Sequence, residues 1–352
     1  MKIAIKCEGI TITDTGKVGG HDAAATLVRR FLRIFPEASV IGHAAHRADG
    51  FDVIPLEFVD AADTVVINMD VLDSTEVWRT IFRESGGLQP NIMNFVWEPV
   101  TILQHRVEKS VFALSCALFP TFASSERTAS EVRDIVNKRV VSDLASLQRI
   151  GWVNLGFRPE HVKPRVTPDI SVVLYPAIYL SPRKRPDLFR TVVEKVHART
   201  PIKVEMRLQE SHLISEKAMS FSQLNWVWVG PLTAERSSYY EALAHTTAFL
   251  ATAEEEAYGM SYVEAMGAGV IGIFPDLPWA HALVPEGYPF VYTSAAEAED
   301  MLYNVVTDPA AARKRLDDLV DEPFPQWISE HHSDDAFDRE VQAAVRTWFA
   351  TD

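Results

Sequence analysis

Two glutamates eight residues apart, Glu256 and Glu264, flank a glycine turn in the segment AFLATAEEEAYGMSYVEAMGAGVIGIFPD (residues 248–276). The order of residue types predicts a strand over Ala248–Thr252, an acidic loop, a helix over Gly259–Met266, a second glycine turn and a strand over Val270–Phe274. At the helix entry the amides of Gly259, Met260 and Ser261 lack intrahelical acceptors and form a cradle for phosphate or hydroxyl oxygens. Glu256 precedes that tip, and Glu264 falls about a turn and a half inside the helix, so the two carboxylates could flank one ligand. Carboxylates accept strongly from paired hydroxyls, so such a site suits the diol of a ribose or hexose. The same acidic residues, Glu254, Glu255, Glu256 and Glu264, equally suit a helix N-terminus meeting the macrodipole, and the residues alone leave both readings open.

A dense basic cluster, Arg183-Lys184-Arg185 in SPRKRPD, is the other candidate for chemistry: a phosphate contact or a solvated helix start. Gly267-Ala-Gly-Val-Ile-Gly272 matches the glycine string of dinucleotide-binding folds, but it follows a predicted helix and opens a strand, the reverse of that fingerprint. It reads as a tight helix-to-strand turn. The chain contains no phosphate-loop motif, no H-E-x-x-H, no G-x-S-x-G and no Asp-x-Asp pair, so metal-independent chemistry without a cofactor is expected. His331 and His332, in a polar stretch without cysteine neighbours, read as solvated surface.

The elements that must position these groups alternate between β-rich runs and amphipathic stretches, the signature of βα units on parallel sheets. In the first half, strands are expected at Lys2–Cys7, Ser39–Gly42, Thr64–Met69, Asn91–Trp97 and Ala117–Ser124. Helices are expected at Asp22–Phe35, Thr75–Arg83, from about Val100, and at Ser125–Asn137. A second series opens at Ile170, after the proline-rich stretch NLGFRPEHVKPRVTP, which reads as an interdomain linker. Its strands fall at Ile202–Leu208 and Trp226–Val229 besides those above, and its helices at Pro186–Ala198, Ala234–Ala244 and Ala295–Val306, with a terminal helix over Asp334–Phe349. The 352 residues exceed what one hydrophobic core usually serves, so domains are expected over 1–165 and 166–330, with a C-terminal helix in 331–352. Cys7 and Cys116 lie in apolar runs and read as small core residues. No segment is apolar enough for a membrane span or signal peptide, so a cytoplasmic protein is expected. A net charge of −14 disfavours nucleic acid as a partner, although Arg29, Arg30 and Arg33 on one predicted helix could offer a local basic groove.

Glu256-Ala-Tyr-Gly-Met-Ser-Tyr-Val-Glu264 resembles the E-x7-E motif of glycosyltransferase family 4. Other landmarks resemble that family in the same order: Gly19-Gly20 its N-terminal glycine loop, VNLGF (Val153–Phe157) its interdomain segment, Lys184-Arg-Pro-Asp187 its lysine turn, and WVWVGPL (Trp226–Leu232) its strand ending in glycine. The resemblance implies a GT-B fold: two Rossmann-like domains facing across a cleft, the acceptor held mainly by the first, the donor by the second, and the terminal helix crossing back to the first.

It further implies transfer of a hexose from a nucleotide-diphosphate sugar such as UDP-glucose to a hydroxyl acceptor, with retention of configuration and no metal. Carried over, Glu264 binds the ribose, Glu256 and the Gly259, Met260 and Ser261 amides hold the sugar, and Lys184 faces the diphosphate. Gly19 and Gly20 let the backbone approach that phosphate, Pro231 and Leu232 line the base pocket, and His21 positions acceptor or sugar. Two positions depart from the family: Tyr179 stands where an arginine is usual, leaving Arg183 as its substitute, and Phe95-Val-Trp97-Glu98-Pro99 stands near the acceptor where many relatives carry a histidine. Trp97 and Glu98 are therefore the acceptor candidates, and the acceptor itself, whether small molecule, glycan, lipid, protein or modified DNA base, stays open. A nucleotide-sugar epimerase or hydrolase and a non-catalytic nucleotide-sugar binder are the alternatives.

Overall fold

In β1 (Lys2–Lys6) the run Ile3-Ala4-Ile5 is buried throughout, as in a strand covered on both faces of a parallel sheet. The computed structural model describes residues 1–20, 22–232 and 236–349. They fall into two compact units, Met1–Asn154 with Asp335–Asp352, and Leu155–Asp334.

The first unit continues with β2 (Ser39–Ile41), β3 (His46–Arg47), β4 (Asp52–Ile54), β5 (Thr64–Asn68), β6 (Asn91–Val96), β7 (Thr121–Ala123) and β8 (Ile150–Trp152). Their spatial order is β3-β4-β2-β1-β5-β6-β7-β8, and only the β3–β4 pairing is antiparallel. Helices Ala23–Ile34, Ser74–Glu84, Arg106–Leu118 and Glu126–Arg139 connect them. Asp22 and Ser125 start two of these helices by accepting the amides of Ala25 and Thr128. The terminal helix Asp334–Phe349 packs into this unit: the Phe337 ring meets Phe31, Phe95 and Phe122, and Trp348 meets Phe122.

The three arginines considered for a basic groove are engaged within the unit. Arg29 donates to the carbonyls of Val18 and Gly20, Arg30 lies 4.6 Å from the Phe337 ring centroid, and Arg33 pairs with Asp338 at 2.8 Å. They fasten the glycine loop and the terminal helix.

The second unit contains β9 (Val172–Tyr175), β10 (Lys203–Leu208), β11 (Val227–Pro231), β12 (Ala248–Leu250), β13 (Ile271–Pro275) and β14 (Val291–Tyr292). All pairings are parallel, in the order β11-β10-β9-β12-β13-β14. In both sheets the winding reverses once, between β1 and β5 and between β9 and β12. Ligands of open α/β sheets bind at the carboxyl ends of the strands flanking such a reversal.

Several elements differ from expectation. The helix expected from Val100 is a single 3-10 turn, Val100–Ile102, followed by helix Arg106–Leu118, whose Glu108 accepts from the amides of Gln104 and His105. The strand expected over Ala117–Ser124 begins only at Thr121, because Ala117 and Leu118 finish that helix. An apolar run such as FALSCALF fits a buried helix and a strand alike. The helix expected over Ala234–Ala244 is described from Arg236 to His245, its first two positions lying outside the described residues. The units divide at Asn154/Leu155, ahead of the 165/166 boundary, because Leu155 and Phe157 are buried in the second unit. Among the described residues no helix is long and apolar enough to cross a membrane.

Candidate functional site

β9 and β12 lie side by side, and the loops that leave their carboxyl ends carry Lys184 and Glu256. The two side chains meet: Lys184 Nζ is 2.5 Å from Glu256 Oε1, with 20% and 16% of the side chains exposed. The loops are also joined through their backbones. Thr252 Oγ1 donates to the Lys184 carbonyl at 2.7 Å, and the Glu254 amide donates to the Arg183 carbonyl at 2.9 Å. Arg185, at φ 48°, turns the chain from the 3-10 turn Pro182–Lys184 directly into helix Pro186–Arg199. A left-handed non-glycine residue is costly and persists only where its surroundings over-determine it.

The Tyr262 hydroxyl donates to Glu256 Oε1 at 2.9 Å. Complete burial raises that phenol well above the ordinary tyrosine range, and the Glu256 charge raises it further, so it remains a proton donor. Tyr175 is raised in the same way, by burial first and then by Glu256. One carboxylate is thus held between an ammonium and a neutral phenol.

Helix Met260–Gly267 follows at once. Gly259 sits at φ 96°, and a Cβ there would lie 2.6 Å from Tyr262 Cδ2 and 3.1 Å from Leu283 Cδ1, so the close approach demands glycine. The amides of Gly259, Met260 and Ser261 donate to no group among the described residues. Glu264 is half-buried inside the helix. At its far end the Gly269 amide bonds Met266 O, the Val270 amide bonds Ala265 O, and Gly269 is left-handed at φ 79°. The glycine string is therefore a helix terminus, and Gly272 is required by packing against Phe249 and Phe274.

The remaining candidates are distributed as follows. Arg183 and Arg185 are exposed beside Lys184, and the Tyr179 ring packs against His212 with centroids 5.3 Å apart. Pro231 and Leu232 stand at the end of β11, separated from β9 by β10, the Leu232 amide donating to Leu208 O. Gly19, Gly20, Trp97 and Glu98 belong to the first unit. Gly20 is left-handed at φ 83°, and a Cβ on Gly19 would lie 2.7 Å from Thr11 Oγ1. Trp97 and Glu98 line a cavity of about 250 Å³ with Glu8, Asp70 and Leu103. Partial burial, then the Asp70 charge, raises the Glu98 carboxyl. His21 lies outside the described residues.

Four participants escaped the sequence. Thr252, Tyr175 and Tyr262 carry no spacing signal of their own, and the expectation for His332 is corrected. It is 2% exposed, with Nδ1 2.6 Å from the Tyr258 hydroxyl, and burial pushes it down to about 4. His331 next to it stays exposed and stacks on Trp327. Alternation of the two histidines across a helix end separates a core position from a surface one, and composition alone hides this. Among the described residues no group of three His, Cys, Asp or Glu side chains could hold a metal ion.

No protein-family model matches the sequence, and none of the curated proteins matches it significantly. Solved structures do. Sucrose-phosphate synthase from Thermosynechococcus elongatus superimposes with a TM-score of 0.74 at 12% identity, covering 98% of each chain. HepE from Anabaena, solved in complex with UDP and glucose, gives 0.67 at 12% identity over 99% of this chain and 100% of its own. The lipopolysaccharide outer core galactosyltransferase WaaB gives 0.65 at 14% identity with the same coverage. The chain has the fold of these proteins, the GT-B architecture of two Rossmann-like units with a C-terminal helix returning to the first. At such identities the likeness is one of fold.

Proposed function

We propose that the chain is a metal-independent, retaining glycosyltransferase that takes a hexose from a nucleotide-diphosphate sugar. The observation that carries this reading is the 2.5 Å contact of Lys184 with Glu256, from the two loops at the winding reversal, beside three helix-tip amides that bond to no group among the described residues. In this reading the second unit holds the donor. Lys184 and Arg183 face the diphosphate, Glu256 and the Gly259, Met260 and Ser261 amides hold the hexose, Glu264 the ribose, and Pro231 with Leu232 the base. The first unit holds the acceptor at Trp97 and Glu98, with Gly19 and Gly20 admitting the diphosphate and His21 positioning acceptor or sugar.

In the transfer, the bond between the anomeric carbon and the phosphate oxygen breaks as the acceptor hydroxyl oxygen forms the new glycosidic bond. The hydroxyl proton passes to the departing diphosphate. Lys184 stabilises the charge developing there, the largest effect such a site can supply. No protein base is needed, which fits a site whose Glu256 carboxylate is already engaged by an ammonium and a phenol.

The fold neighbour HepE was solved with UDP-glucose, which makes that compound the first donor to try. The test is a thermal-shift screen of UDP-, GDP-, ADP- and dTDP-sugars, since a ligand bound only by the folded chain raises the melting temperature. One of them is expected to do so, with turnover following on an acceptor panel. No stabilisation by any member, or full turnover by Glu256→Ala, rejects the reading. Tight binding without turnover favours a nucleotide-sugar sensor, to which Tyr179 in place of an arginine points.

A further inference from the structure

We propose that the Tyr258–His332 hydrogen bond fastens the loop bearing Glu256 and Gly259 to the paired segments by which the chain enters and leaves its second unit. Those segments, and not the sheet alone, then set the position of the donor loop. For the ligand this rests on the donor-site reading above; for the clasp it rests on geometry.

Tyr258 and His332 are 5% and 2% exposed and 74 residues apart in sequence. His332 Nε2 lies 3.2 Å from the carbonyl oxygen of Leu283, which can only accept, so Nε2 carries the ring proton. Nδ1 is then a bare acceptor, and the Tyr258 hydroxyl at 2.6 Å is its donor. A buried pair of this kind leaves a costly orphan if either partner is lost.

His332 is also part of the entry and exit segments. Its carbonyl accepts from the Phe157 amide at 3.2 Å, Phe157 pairs with Ser333 as a β-bridge, and Arg158 Nε donates to Asp334 Oδ2 at 3.0 Å. A Cβ on Gly156 would lie 2.1 Å from the Asp334 nitrogen, so the two backbones are in direct contact. The same segments reach the donor helix at its other end, where a Cβ on Gly267 would lie 2.1 Å from Phe157 Cζ. Leu283, which accepts from His332, also packs its side chain against Gly259. Helix Met260–Gly267 is thus held fore and aft by one pair of crossing segments, and Tyr258 is its forward attachment.

Isosteric replacements separate the two bonds of the imidazole. His332→Asn keeps an acceptor where Nδ1 stands, whereas His332→Gln keeps a donor where Nε2 stands; Tyr258→Phe removes only the hydroxyl. Hydrogen exchange of the full chain, read by mass spectrometry over residues 254–261 with β10 as internal reference, is expected to quicken about tenfold in Tyr258→Phe and His332→Gln. His332→Asn is expected to exchange like the parent. Dissociation constants for UDP-, GDP-, ADP- or dTDP-glucose, whichever the parent binds, should weaken in the same order. Unchanged exchange in Tyr258→Phe overturns the clasp. So does equal loss in the Asn and Gln variants, which marks a packing role. Faster exchange with unchanged donor affinity overturns its hold on the donor loop. If the parent binds none of the four sugars, the donor reading falls, and the exchange rates still decide the clasp.

Discussion

At the reversal between β1 and β5 the first sheet carries Lys6, held by Asp70 at 2.8 Å and Asp73 at 2.6 Å, with Asp70 also accepting the Glu8 amide at 2.7 Å. At the reversal between β9 and β12 the second sheet carries Lys184, which among the described residues meets one carboxylate, Glu256, at 2.5 Å. The residue types match; the accounting of donors and acceptors does not. An ammonium has three N–H groups, and two carboxylates with a backbone amide closing the group leave Lys6 a structural strut. Among the described residues Lys184 has a single anionic partner, and it ends a 3-10 turn beside amides that bond to nothing described. The difference teaches that a charged pair at a strand end signals a ligand when its hydrogen-bonding capacity is left over.

The sharpest way to break this comparison is to delete each lysine. Lys184→Ala is expected to lower kcat/KM for sugar transfer by about 10²–10³-fold, the scale of losing one preorganised charge at the leaving group. Initial rates at limiting donor measure it, and full activity in that variant would make the second lysine a strut like the first. Gly259→Ala comes next. At φ 96°, with a Cβ 2.6 Å from Tyr262, it introduces strain of about 1–3 kcal/mol. Calorimetry should show weaker donor binding together with a lower melting temperature. Gly287→Ala, also left-handed but with nothing nearer than 3.7 Å, should lower stability alone. Equal donor affinity in both variants would detach the helix tip from the ligand.

How much of this was legible in the sequence follows from the range of the forces involved. Gly259 and the glycine turn at Gly267–Gly272 were readable because backbone conformation is set by a few neighbouring residues. Strands such as β5 and β6 were readable because burial on both faces writes a continuous apolar run. β3 and β14, two residues each, carry too little periodicity to be seen. The site divides in the same way. Glu256, Glu264 and Lys184 stood out by motif, while Thr252, Tyr262 and the Tyr258–His332 bond depend on contacts between distant segments that no local spacing encodes.

On the structural side of the comparison, burial lowers the Lys6 pKa, but hydrogen bonds and charge from Asp70 and Asp73 outweigh it and hold the group above its ordinary 10.5. A raised lysine contributes stability that is complete below the unfolded value and lost as pH rises through the folded one. Resistance to urea unfolding should therefore fall above about pH 10.5 in the parent. In Lys6→Met that component should be missing, at a cost near neutrality of about 1–3 kcal/mol for two part-exposed carboxylates left without their cation. Donor affinity should not change. A variant that loses donor binding without losing stability would place Lys6 in a ligand site and erase the distinction between the sheets.

The smallest effect concerns the backbone that presents Lys184. Thr252 Oγ1 donates to the Lys184 carbonyl at 2.7 Å, and Thr252→Val removes that donor while keeping the shape of the side chain. Lys184 is half-buried, so water can replace part of the lost bond, and the net cost should fall near the low end of about 0.5–1.5 kcal/mol. If the loop's position matters to the ligand, a few-fold rise in the dissociation constant should accompany that loss. The ion pair to Glu256 holds only the tip of the Lys184 side chain, whereas Thr252 holds its root, so the two restraints are separable. Unchanged affinity in Thr252→Val beside a large defect in Lys184→Ala would show that the ammonium alone is needed and that its flexible stem tolerates a shifted backbone.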